Sequence, residues 1–188
     1  MYLAFLQDSR FYEHLFQIDQ DLAEQTGRSP CRFCGGKLHS ACYERKPRGV
    51  PAGIQTGPGF SVCFSFCCSV EGCRRRQRTR SVRFLGPKVY LSVLVTLLTV
   101  MRQGPTPRTT RQLTGLFGVD RRTLVRWRGW WQASFPSTRF WQGMRGRFIP
   151  SVVEAELPQS LVERFTASGV WARVMDVLRC LSSVFHNS

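Results

Sequence analysis

Apolar positions along the chain fall into two kinds of period. Phe11, Leu15, Ile18 and Leu22 recur at steps of four, three and four, with Asp19, Asp21 and Glu24 on the other side. This predicts an amphipathic helix over residues 10–26, with Gly27 where a helix C-terminus favours glycine. Residues 46–59 carry Pro47, Gly49, Pro51, Gly53, Gly57, Pro58 and Gly59, so they form a loop. Residues 60–66 then alternate with period two, Phe60, Val62, Phe64 and Phe66 sharing one face of an expected strand. Pro87 suits the first turn of a helix expected over 88–103, which stops before Gly104 and Pro105. A last helix is expected over 168–185, where Val170, Trp171, Val174, Val177, Leu178, Leu181, Val184 and Phe185 make a stripe at steps of three and four. Core packing is the plain use of that stripe; self-association is the other.

Between these lies a helical pair at 109–131. Leu113, Leu116 and Phe117 share one face of a short first helix, Gly118 supplies the turn, Val119 plugs the corner, and Asp120 is a natural N-cap for the second helix. At about 100° per residue, Leu124, Trp127 and Trp131 fall within roughly 60° of one another and face inward. Arg122 and Arg126 point away, Val125 and Gly129 lie beside them, and Arg121 and Arg128 are nearer the border. Trp130, Trp131, Phe135, Phe140 and Trp141 are read as core before base-stacking groups.

Charge changes this picture. The chain of 188 residues has a formal charge of +15, yet residues 1–73 are neutral and 148–188 carry −1. Residues 74–147 hold seventeen basic side chains against the single acid Asp120. Genome-wide arginine bias would not spare the flanks, so the excess is read as a surface for a polyanion. Docked in a major groove, the start of the second helix reaches base edges, which assigns Arg121, Arg122 and Arg126 to base or groove contacts. Thr110, Arg111 and the run containing Arg74, Arg75, Arg76, Arg78 and Arg80 are assigned to phosphates. An αα-hairpin with a solvated arginine face is the competing description.

The cysteines add a metal. Cys31-x₂-Cys34 and Cys68-x₄-Cys73 have ligand spacing, each with glycine in or after the turn, and tetrahedral Zn²⁺ takes two such clips in a structural site. Cys67 and Cys68 are adjacent and project oppositely from a strand; Cys68 opens the shorter turn and is preferred. His39 and Cys42 offer an alternative clip, and buried free thiols are the metal-free alternative. Cys180 is expected in the core, and His14 and His186 as ordinary packed or solvated residues. Four thiolates close the shell, so the ion is structural and not catalytic.

The start of the chain lacks the basic region and long apolar run of a secretory signal. The apolar stretch over 89–101 is shorter than the roughly 20 residues of a bilayer span. With eight cysteines, a reducing, cytoplasmic setting is expected, with no membrane or small-molecule partner.

Together, Cys31-x₂-Cys34, Cys68-x₄-Cys73 followed by Arg74-Arg75-Arg76, and Phe117-Gly118-Val119-Asp120-Arg121-Arg122-Thr123-Leu124-x₂-Trp127 resemble the DNA-binding half of bacterial insertion-sequence transposases. The segment Cys67-Cys68-Ser69-Val70-Glu71-Gly72-Cys73-Arg74-Arg75-Arg76 with Ser81-Val82-Arg83-Phe84-Leu85-Gly86 looks more closely like that of small transposase-like proteins. The resemblance covers about residues 31–131. It implies binding to double-stranded DNA, as a homodimer or within a larger nucleoprotein complex at a prokaryotic nucleoid. No counterpart of the family's RNase-H-like catalytic half is expected in the residues beyond 131, where the acids are Glu154, Glu156, Glu163 and Asp176 in a stretch patterned as helix. The expected fold is mainly α with a small zinc-ribbon β element and a three-helix helix-turn-helix domain. The divisions are an N-terminal helix (1–28), a ribbon with a basic arm (29–86), the helix-turn-helix (87–148) and a helical tail (149–188). No enzymatic activity is expected. An RNA- or single-strand-binding module and a protein-interaction subunit are the alternatives.

Overall fold

The structure, a computed structural model, describes residues 6–45, 49–84 and 106–182. The helix expected over 88–103 and the end of the last helix, beyond residue 182, lie outside these residues. The described chain is mainly helical with a small antiparallel β component. No helix in it is long and apolar enough to cross a membrane.

Helix α1 spans Ser9–Arg28 and starts at Asp8, whose side chain accepts from the Arg10 backbone N–H at 3.0 Å. Its inward stripe is the expected one, Phe11, Leu15 and Ile18, with Tyr12 and Ala23 added. Two expectations fail here. The helix runs through Gly27 and is closed by Ser29. Gly27 is instead a point of close approach, because a Cβ there would lie 2.9 Å from the Phe66 ring. Asp19, placed on the polar side by its period, is buried.

The β component is two small sheets. Strand β1 (Leu38–Ser40) pairs with β4 (Ser65–Cys68), which pairs with β5 (Arg76–Arg78); β2 (Tyr43–Glu44) pairs with β3 (Val62–Cys63). All pairings are antiparallel, with Leu38 opposite Cys68, Phe66 opposite Gln77 and Tyr43 opposite Cys63. The single strand expected over 60–66 is therefore broken at Phe64, whose ring stacks on Phe16 at 6.0 Å. Cys63 and Ser65 are buried alongside Phe60. Ser65 tolerates burial because its hydroxyl donates to the Ala41 carbonyl at 2.5 Å. The arginine run is correspondingly not a free arm, since Arg76 and Arg78 sit on β5, the third strand of the larger sheet.

Among the described residues the remaining α-helices are α2 (Pro107–Phe117), α3 (Arg121–Gly129), α4 (Arg139–Met144), α5 (Gln159–Val162) and α6 (Val170–Leu181). A wide π-helical turn, Trp130–Ser134, continues α3. From it an aromatic chain runs inward: Trp131 to Phe135 at 4.7 Å, Phe135 to Trp141 at 5.0 Å, Trp141 to Phe148 at 6.1 Å. Trp131, Phe135 and Trp141 are fully buried, which makes them core side chains. Helix α6 buries Val174, Met175, Val177, Leu178 and Leu181, and Trp171 meets Phe11 edge-on at 5.6 Å. Its stripe thus belongs to the core, in one cluster with residues of α1, α2, α3, α4 and α5. A second, smaller cluster surrounds Cys31, Leu38 and Cys68.

Candidate metal centre and cationic helix

Two turns bring four sulfurs together. In the first, the Gly35 N–H donates to the Cys31 carbonyl at 2.7 Å and the Cys31 N–H to the Gly36 carbonyl at 2.8 Å. Gly35 takes φ 77°, a left-handed conformation that costs glycine least. Gly36 is required for space: a Cβ would collide with Val70 Cγ2 and fall 3.2 Å from Cys68 Sγ. In the second turn, the Cys73 and Arg74 N–H groups both donate to the Val70 carbonyl, at 2.9 and 3.0 Å. Gly72 is not the left-handed residue of this turn; Arg74 is, at φ 44°. The antiparallel register of β1 and β4 sets Cys68 in line with the first clip, and Ser69 N–H reaches the Lys37 carbonyl at 2.9 Å.

The Sγ atoms of Cys31, Cys34, Cys68 and Cys73 all lie within 4.8 Å of one another. Cys31 to Cys73 is 3.8 Å and Cys34 to Cys68 is 3.4 Å. Zinc–thiolate bonds of about 2.3 Å in a tetrahedron set the sulfurs about 3.8 Å apart, whereas a disulfide draws them to about 2.05 Å. The donor set therefore fits a tetrahedral metal ion. Burial opposes ionisation of Cys31, but the Phe33 and Cys34 backbone amides and the Cys34 and Cys68 thiols bring it down to about 7. Cys67 faces away, its thiol directed at the Arg74 carbonyl at 3.3 Å. His39 is exposed opposite Cys67, and Cys42 lies against Ser40 at 3.2 Å, outside the cluster. Cys180 contacts Met144 Sδ at 3.2 Å, and burial pushes its thiol up to about 11.

Behind the ribbon lies a polar centre that the sequence did not announce. Asp19 of α1 accepts from Arg83 Nε at 2.8 Å, the Val82 N–H at 2.7 Å and the Ser81 hydroxyl at 2.5 Å. Arg83 also donates to the carbonyls of Phe60 and, at 3.0 Å, Val62. Its guanidinium lies 4.7 Å from the Phe16 ring centre and 5.1 Å from that of Phe84. Burial pushes the Asp19 carboxyl up, and the Arg83 charge with the Ser81 and Val82 donors pulls against it. Pairing is what makes this burial tolerable. One arginine of the basic stretch is thereby withdrawn from the surface.

The helical pair has the expected local chemistry. Thr106 caps α2, accepting from the Thr109 N–H at 3.1 Å. Gly118 is left-handed at φ 59°, and Asp120 caps α3 by accepting from the Thr123 N–H at 2.6 Å. That bond holds the Asp120 carboxyl below the usual carboxylate range. Leu124 is buried and Trp127 half-buried, while Arg121, Arg122, Arg126 and Arg128 are exposed. Val125 is 55% exposed amid these arginines. Arg126 donates to Thr123 Oγ1 at 3.1 Å. Arg111 is exposed and Thr110 half-buried; Arg74, Arg75, Arg76 and Arg78 are exposed and Arg80 is half-buried.

Three of the four tail acids have local side-chain partners. Glu154 accepts from Trp141 Nε1 at 2.7 Å and Arg145 at 3.2 Å, Glu163 from Gln159 at 2.8 Å and Asp176 from Arg179 at 3.2 Å.

Compared with known proteins, the chain matches no protein-family profile, no curated protein and no solved structure.

Proposed function

We propose that the chain binds double-stranded DNA, with α2 and α3 acting as a helix-turn-helix and Zn²⁺ holding the four-cysteine ribbon. Its relation would be to the DNA-binding half of insertion-sequence transposases, with no cleavage site of its own. The observation that carries this reading is the outer face of α3. Arg121, Arg122 and Arg126 stand exposed around Val125 on a helix whose start is fixed by Asp120. Arginine forks pair bidentately with guanine, and an exposed valine suits the thymine methyl group. The arginines at 74–76 supply affinity that carries no sequence information. Zinc contributes folding free energy that a ribbon of this size lacks in its apolar contacts.

The test is titration of the full zinc-loaded chain with duplex DNA at several salt concentrations, after selection of preferred sites from a random library. Affinity should fall linearly with salt on logarithmic axes. Arg122→Ala and Arg126→Ala should weaken selected sites more than random duplex, whereas Arg74→Ala and Arg76→Ala should weaken both alike. Absence of any salt-sensitive association with duplex would end the proposal.

A further inference from the structure

The ribbon exposes apolar surface at its metal-holding turns. Phe33, between the two cysteines of the first clip, is 43% exposed, and Val70, inside the second, is 44% exposed. Phe33 is not part of the small ribbon core. Its ring instead lies under two guanidinium groups, those of Arg32 and Arg75, each 4.8 Å from the ring centre. Arg74 and Arg76 are exposed next to Arg75.

This combination selects its ligand by chemistry. A hydrophobic protein surface closing over Phe33 would strip water from two guanidinium groups without pairing them, at high cost. A folded duplex offers phosphates but keeps its base faces stacked. An unpaired nucleotide supplies both parts: a flat π-face for the ring and guanidinium planes, and a phosphate for the charge. We infer that the ribbon tip formed by Phe33, Arg32 and Arg75 is a stacking site for an unpaired nucleotide of a DNA strand. The chain would then prefer duplex that carries a single-stranded extension. The inference rests on the nucleic-acid reading above and adds a second, separate contact to it.

The experiment compares the full zinc-loaded chain on a blunt duplex and on the same duplex with an unpaired extension, carrying a fluorescent adenine analogue at the first unpaired position. The wild type should bind the extended duplex about tenfold more tightly, a factor typical of one base–aromatic stack, and change the analogue's fluorescence. Phe33→Ala should erase both effects while leaving blunt-duplex affinity and metal content unchanged; Phe33→Trp should retain them. Equal wild-type affinity for the two duplexes, or an undiminished preference in Phe33→Ala, overturns the inference. Binding of the extension through Phe33 without any binding of blunt duplex sustains it and removes the duplex reading alone. Binding of neither removes both.

Discussion

The ribbon and the helical lobe solve the same problem with different means. Around the cysteines the buried cluster is Cys31, Leu38 and Cys68, with Phe66 and Cys73 partly covered, so most of its members also belong to the candidate metal site. The helical lobe buries whole tryptophans, Trp131 and Trp141, packed through Phe135. Aromatic side chains supply large buried area each, and a lobe built on them does not require a ligand. The ribbon has too little apolar surface to do likewise, and its four clustered sulfurs could supply the difference by holding a metal ion. With a metal in that site, one chain would contain a conditional unit and an unconditional one.

Removing the metal should separate them most sharply. Chelation or Cys34→Ser withdraws a term on the order of 10 kcal/mol for zinc sites, and should abolish ribbon amide signals while much of the helical circular dichroism persists. Unchanged melting and metal content in Cys34→Ser would refute the ligand assignment. Next in size is the link between the units. Asp19→Ala leaves Arg83 buried and unpaired, which should cost about 3–5 kcal/mol in denaturant unfolding. Asp19→Leu combined with Arg83→Met should recover most of it, and failure to recover would mean that Arg83 acts mainly through the Phe60 and Val62 carbonyls. Gly36→Ala should cost about 1–3 kcal/mol by overpacking against Val70 and loosen metal binding, and adding Val70→Ala should restore both. The smallest effect concerns the left-handed Arg74. Arg74→Gly relieves its backbone but frees the unfolded chain, so a net gain of at most about 1 kcal/mol is expected in thermal melts; a loss would show that the Arg74 side chain supports the ribbon.

Features set by near neighbours in the chain are legible in the sequence alone. The cysteine clips, the Gly118 turn and the cap at Asp120 depend on spacings of a few residues, and the stripes of α1 and α6 depend on helical period alone. Cys67 and Cys68 are not expected to share one ion because adjacent strand residues face opposite ways, and Cys68 is preferred because it opens the shorter turn. What escapes such a reading depends on contacts between distant segments. Asp19 carries the same polar signal as Asp21 and Glu24, and only the distant segment of Ser81, Val82 and Arg83 makes it an interior residue. Gly27 looks like a helix stop because local rules know nothing of the Phe66 ring. Phe33 gives no signal beyond being aromatic, since its exposure and its two arginine neighbours arise only when the clips close. Phe64 breaks the expected strand for a similar reason, being claimed by Phe16.

The Asp19–Arg83 tie bears on how the molecule can be dissected. A fragment excised from Cys31 to Cys73 would lose the carboxylate that α1 contributes, along with the segment that returns Arg83 to it. A fragment starting after α1 but retaining Arg83 would strand a cation among phenylalanine rings. The smallest piece that keeps this knot intact therefore begins with α1 and extends past Phe84, so the opening helix travels with the cysteine module even though its apolar stripe also lines the other core.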